Sequence, residues 1–179
     1  IEVKAAVNIS ARLLISPAFF DAVEAALRVS DTSASDLIFE VTESATMADP
    51  AAALRALEGY RRMGIMISLD DYGTGQSTLT YLKTLPLGEL KIDRSFVENA
   101  HEDSSDALLV RSTVNLAHAL GLQVVAEGIE TVECLDFLRE VGCDLAQGYF
   151  VSRPLPASEL LTLCLSNSTS PKTPVRTAA

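Results

Sequence analysis

The sequence predicts an α/β fold of the TIM-like (β/α)-barrel kind with about six βα units, on three observations. Short apolar runs of strand length alternate with amphipathic helical patterns along nearly the whole chain. A glycine follows three of the helical patterns (Gly64, Gly121 and Gly142), and the next apolar run starts at once, so the helix-to-strand connections are tight. Finally, the apolar runs keep ending in a carboxylate or an amide. Parallel strands deliver such residues to one end of a barrel, which is where the active sites of this architecture are built. A complete barrel has eight units, so six is a partial set.

The first strand is expected over 3–9, closing on Asn8. Ser16 before Pro17 is a helix start, a hydroxyl to cap and a proline whose missing N–H is not needed there; it opens a helix over 17–29. LIFEVT, 37–42, is the second strand, with Glu40 inside it and Glu43 just beyond. Asp49 before Pro50 starts a helix over 50–63, which Gly64 ends. The third strand, 65–70, delivers Asp70 and Asp71, and a helix follows over 76–84. The fourth, 88–92, carries Lys91 and leads to Asp93; its helix spans 104–120. The fifth, 122–126, ends on Glu127, and Thr131 with Glu133 opens a helix over 131–141. The sixth, 143–147, ends on Gln147, and a last helix covers 156–165. Residues 1–165 thus read as one barrel domain. From Ser166 to Ala179 the chain is Ser/Thr/Pro-rich without apolar period, the composition of a disordered tail.

With 179 residues, 48% of them hydrophobic, the chain has the means to bury a core. The formal net charge of −10, without a Lys/Arg cluster, argues against a nucleic-acid polymer as partner, since such binding neutralises many phosphates. A small phosphorylated ligand remains compatible where bound metal supplies positive charge. Cys134, Cys143 and Cys164 lack CxxC spacing and read as reduced, partly buried thiols of a cytoplasmic domain. No run approaches the roughly 18–20 apolar residues of a membrane span, and no signal peptide is evident. The segment is therefore expected to make no membrane contact itself, any anchor lying elsewhere. The first residue is Ile, almost at a strand start, so the chain is expected to begin inside something larger.

LDDYGTGQSTL, 69–79, is the sharpest motif. Side chains alternate along a strand, so adjacent Asp70 and Asp71 reach one ion only where the strand ends and twists. Gly73-Thr74-Gly75 lacks the Lys-Ser/Thr that would make it a phosphate-binding P-loop. A ring of hard oxygens at strand ends suits Mg²⁺, Mn²⁺ or Ca²⁺ better than zinc or copper. Plainer readings stand beside each of these. The Asp pair could be a solvated strand end, Asn8 an Asx-turn residue, and Lys91 a surface cation. Glu43, Asp93 and Glu130 could be ordinary solvated or capping carboxylates. His101 and His118 read as structural, His118 through packing in its helix. Arg94 and Arg153 suit a phosphate or a base, and equally a surface ion pair.

Together, VNIS (7–10), FEVTES (39–44), LDDYGTGQSTL (69–79), LKIDRSFV (90–97), VVAEGIET (124–131) and QGYFVSRPL (147–155) resemble the EAL domain, the family of cyclic-di-GMP phosphodiesterases. The motifs run in the family's order and at its spacing over essentially all of 3–160. The departures are Tyr72, where the family often has Phe, and Gln76 and Thr78 after the glycine turn. The Glu-Ala-Leu signature, whose Glu is a metal ligand in the family and which has a phosphate-contacting Arg nearby, should precede Asn8 and is not in this chain. The resemblance implies the last six βα units of an N-terminally truncated domain.

It further implies metal-dependent hydrolysis of cyclic di-GMP to the linear dinucleotide, with two divalent cations, Mg²⁺ or Mn²⁺. Asn8, Glu40, Asp70, Asp71 and Glu127 become metal ligands, Asp70 the one to bridge. Lys91 would orient and help deprotonate the attacking water, and Gln147 would hold water or substrate nearby. Glu43 would pin the loop after Asp71, with Asp93 and Glu130 in support. The segment after Asp71 would join two copies into a homodimer, and sensory or cyclase domains would lie upstream. The alternatives are a catalytically inactive module that binds the nucleotide, especially for this stretch alone, and a barrel enzyme abstracting a proton with Lys91 beside Mg²⁺.

Overall fold

A computed structural model describes residues 3–73 and 79–167. In chain order the elements are β1 (Ala5–Asn8), α1 (Ala11–Leu14), α2 (Pro17–Val29), a 3₁₀ turn (Ala34–Asp36), β2 (Leu37–Thr42), α3 (Glu43–Met47), α4 (Pro50–Met63) and β3 (Met66–Tyr72). They continue with α5 (Leu79–Thr84), β4 (Glu89–Ile92), α6 (Arg94–Val97), α7 (Ser104–Ala119), β5 (Gln123–Ala126), α8 (Val132–Glu140), β6 (Leu145–Ala146) and α9 (Ala157–Asn167). The chain forms two compact units, Val3–Leu90 and Lys91 onward, dividing within β4.

In the first unit β1, β2 and β3 are parallel neighbours, Asn8 in register with Glu40 and Thr42 with Asp70. Gly88 N–H donates to the Ile67 carbonyl at 2.9 Å, leading into β4. One face of the sheet is covered by helices. Phe39 meets Tyr60 of α4 edge-on with ring centroids 5.0 Å apart, and Phe19 of α2 lies 6.3 Å from Phe39. Because side chains alternate, Glu40, Ser68 and Asp70 point from the opposite face, with Asn8 level with Glu40. The fold therefore separates an apolar helix-backed layer, with Val41, Ile67, Leu69 and Leu57 buried, from a face that carries polar groups.

The second unit repeats the theme. Glu127 N–H donates to the Ile92 carbonyl at 3.2 Å, and β5 pairs in parallel with β6, Val125 opposite Leu145. Val124, Val125, Ala126, Ile129 and Leu138 are buried.

The expected caps are in place. Ser16, Asp49 and Thr131 each accept a backbone N–H of the first turn. Gly64, Gly121 and Gly142 sit at φ 100°, 75° and 80°, the left-handed region that ends a helix. Three one-turn helices were not expected, and each begins directly after a strand end. Ser10, Thr42 and Asp93 cap α1, α3 and α6, so polar residues that read as loop instead start a helix. The first strand is shorter than 3–9, because Ser10 already caps α1. The last strand shrinks from 143–147 to Leu145–Ala146: the Asp144 carboxylate accepts the Val124 N–H at 2.8 Å in place of a ladder bond. The helix expected over 76–84 is described from Leu79, and α9 runs to Asn167, two residues past the expected end. The expected disordered tail lies, beyond Asn167, outside the described residues.

Candidate metal centre

The end of β3 supplies the sharpest local geometry. Asp71 has φ 57°, the one non-glycine residue with positive φ among the described residues. Left-handed backbone is costly for most L-residues and tolerated by Asp and Asn. Here it turns the chain so that alternation no longer separates neighbours. An oxygen of Asp70 and one of Asp71 lie within 4.8 Å of each other, and the Asp71 N–H donates to Asp70 Oδ1 at 3.1 Å. Gly73 at φ 104° continues the turn. This is the strand-end twist that two adjacent carboxylates need to face one ion.

Asn8 and Glu40 stand side by side on β1 and β2, Asn8 exposed and Glu40 buried. Glu43 is the first residue of α3 and is buried. Burial raises the Tyr72 phenol above its usual value, and the Glu43 charge raises it further. Glu43 therefore lies near the residue that follows the Asp pair. Most of the segment expected to form a dimer contact, Thr74–Thr78, lies outside the described residues.

In the second unit Lys91 is 3% exposed and its Nζ donates to Glu127 Oε1 at 2.6 Å. A buried ammonium needs such a partner, because its desolvation costs several kcal/mol if uncompensated. Gln147 follows β6, its N–H donating to the Ala126 carbonyl at 2.9 Å while its carbonyl accepts from Ile129 at 3.1 Å. Asp93 caps α6 by accepting the Ser95 N–H at 2.9 Å. Arg94 pairs with Glu130 and with Glu98, each at 2.9 Å. Gly128, at φ 74°, makes room for it: a Cβ there would lie 2.2 Å from Arg94 Cγ. The Arg153 guanidinium lies 4.4 Å from the Tyr149 ring centroid.

Sequence reasoning did not single out Glu89, which is fully buried at the start of β4 and accepts the Ser68 hydroxyl at 2.7 Å. The strand reads ELKI, with a second charge at Lys91, so no apolar period marked Glu89 as buried. His118 is not packed inward. Its Nε2 meets Asp144 Oδ2 at 2.8 Å with the side chain 40% exposed, because Asp144 had already turned to bond Val124. Cys134 and Cys143 are free thiols. Burial pushes Cys143 up to about 12, which removes it as a nucleophile at neutral pH.

Residues 1–154 match the EAL domain family, and the chain belongs to it, as six βα units of a TIM-like barrel fold. The bifunctional diguanylate cyclase/cyclic di-GMP phosphodiesterase MucR of Pseudomonas aeruginosa is 47% identical over 156 residues, covering 87% of this chain and 23% of that protein. The solved MucR phosphodiesterase in complex with cyclic di-GMP superposes with a TM-score of 0.83 at 46% identity, over 88% of this chain and 64% of that one. The manganese/cyclic di-GMP complex of Klebsiella pneumoniae BlrP1 does so with a TM-score of 0.79 at 29% identity, over 86% and 39%. The chain thus spans less than a quarter of the curated MucR sequence. Among the described residues no helix is long and apolar enough to cross a membrane.

Proposed function

We propose that this chain is part of a metal-dependent phosphodiesterase that hydrolyses cyclic di-GMP to the linear dinucleotide pGpG. The observation that carries the reading is the Asp70-Asp71 pair, held on a left-handed turn with its carboxylates converging, inside the family's own motif. An all-oxygen donor set fits Mg²⁺ or Mn²⁺, and a close pair of carboxylates gains from a cation between them.

Asn8, Glu40, Asp70, Asp71 and Glu127 are the proposed ligands of two divalent ions, Asp70 shared by both. Two such ions would supply positive charge for the phosphoryl oxygens and a water made acidic enough to attack near neutral pH. The chain's own groups do the rest. Lys91, buried and charged, directs the attacking water through Nζ, and its positive charge favours the hydroxide left when the water gives up a proton to solvent, with Glu127 fixing that ammonium. Gln147 positions water or substrate. Arg94, held by Glu130 and Glu98, and Arg153, stacked on Tyr149, offer cations to the dinucleotide. Glu43 and Asp93 hold backbone in place. The working location is the cytoplasm, the parent carries further signalling domains, and a homodimer forms through the segment after Asp71.

Chromatographic detection of pGpG from the intact protein with Mn²⁺ or Mg²⁺ tests the assignment. Turnover that chelator abolishes is expected. Binding of cyclic di-GMP without product would establish the alternative, a nucleotide-binding regulatory module. Glu43→Ala should weaken substrate affinity and self-association together. A loss of metal affinity alone would make Glu43 a ligand.

A further inference from the structure

Helix α3 is only five residues long, yet both its ends are tied. At its start Thr42 accepts the Ala45 N–H at 3.2 Å as N-cap, and Thr42 is the register partner of Asp70 on β3. Near its end Thr46 is fully buried, with its hydroxyl donating to the Glu43 carbonyl at 2.8 Å. The Thr46 carbonyl is one of those that a helix end leaves without an intrahelical partner. It accepts the Tyr81 hydroxyl of α5 at 2.8 Å. So short a helix has little stability of its own, and its placement depends on such ties.

We propose that Tyr81 is a positioning residue for the Asp70-Asp71 pair. Through the Thr46 carbonyl it fixes α3, and α3 is capped by Thr42, the residue beside Asp70. A clamp at both ends of α3 thereby holds the end of β3, where Asp71 must keep a left-handed backbone that relaxation would release. Tyr81 touches neither ion nor substrate. The significance for metal binding rests on the reading of the Asp pair as ligands; the mechanical link does not.

Tyr81→Phe keeps the ring and removes the hydroxyl that donates to Thr46. In the intact metal-free protein this variant should accelerate amide exchange at Asp70, Asp71 and Tyr72 while leaving that at Leu57 and Tyr60, buried on α4, unchanged. Its Mn²⁺ affinity by calorimetric titration should fall by about tenfold, the scale seen when partners that orient ligands are removed, and excess Mn²⁺ should restore turnover. A ring that served only as packing would predict no change in the Phe variant. Unaltered exchange at Asp70–Tyr72 overturns the proposal, as does equal acceleration through α4. If the unsubstituted protein binds no Mn²⁺, the metal reading fails, while the exchange data still decide whether Tyr81 holds the β3 end.

Discussion

In residues 3–90 the end of β3 gathers like charge, Asp70 and Asp71 with oxygens within 4.8 Å, whereas from Lys91 onward acids are matched with bases: Lys91 with Glu127, Arg94 with Glu130, and Arg111 with Glu140. Two full negative charges about 5 Å apart repel by roughly 3 kcal/mol at an effective dielectric near 20, before screening by water and salt. The β3 end adds a left-handed residue to that cost. A structure keeps such a combination where its surroundings hold it in place. The close carboxylate pair thus belongs to the first unit and the buried, paired cation to the second.

The largest effect should come from the fixed cation. Lys91→Ala removes the buried ammonium and its ion pair with Glu127. Turnover should fall by about a hundredfold or more, while metal and nucleotide binding largely survive in titration. A loss below about tenfold, roughly 1.4 kcal/mol of barrier, would sink the role given to Lys91.

The gathered carboxylates come next. Asp70→Asn should weaken Mn²⁺ binding more than Asp71→Asn, by about tenfold, because a shared carboxylate serves two ions and an amide carries no charge. Asn also tolerates the left-handed backbone at 71, so the second variant tests charge without adding strain. Equal affinities in calorimetry would reject Asp70 as the shared ligand.

Why these residues were legible in sequence, and others not, follows from the range of the forces involved. Caps and glycine ends are local, and Ser16, Asp49, Thr131, Gly64, Gly121 and Gly142 behaved as their own chemistry requires. Strand ends in oxygen-bearing residues were legible for the same reason, and motif order identified the family. The twist that unites Asp70 with Asp71 was inferred as a necessity, but its means, φ 57° at Asp71 itself, is a backbone state that the side-chain pattern does not encode. Contacts across long sequence gaps were opaque. Nothing near His118 announces Asp144, and nothing near Thr46 announces Tyr81, because both pairings depend on where elements land in space. Short helices such as α3 were missed because a five-residue stretch has no apolar period to read.

A smaller effect separates two glycines of the second unit. Both Gly121 and Gly128 have positive φ, but a Cβ at 121 meets nothing within 4 Å, whereas one at 128 would lie 2.2 Å from Arg94 Cγ. Gly121→Ala should cost about 1 kcal/mol for the backbone alone. Gly128→Ala should cost more, and should also move Arg94 from Glu130 and raise the KM for cyclic di-GMP. Equal melting temperatures for the two variants would show that Arg94 yields freely, and would remove it from the substrate contacts.

The smallest effect near neutral pH distinguishes the units by their alkaline limits. In the first, Tyr60 and Tyr72 are raised above 10.0 chiefly by burial. In the second, burial raises Cys143 from 9.0 to about 12 and Cys134 above 9.0. Each group is neutral when protonated, so a raised folded value means that the unfolded chain loses its proton first as pH rises. The stabilisation is complete below the unfolded value and drains away between the unfolded and folded values. For the thiols that decline starts near pH 9, and for the phenols near pH 10. Amide exchange at Val124 and Val125 should therefore accelerate at lower pH than exchange at Ile67 and Leu69, after correction for the intrinsic pH dependence. Cys143→Ala should delay the loss in the second unit and leave the first unchanged. Simultaneous loss in both units, unaffected by this substitution, would mean that they open as one cooperative body and that the thiol does not set the limit.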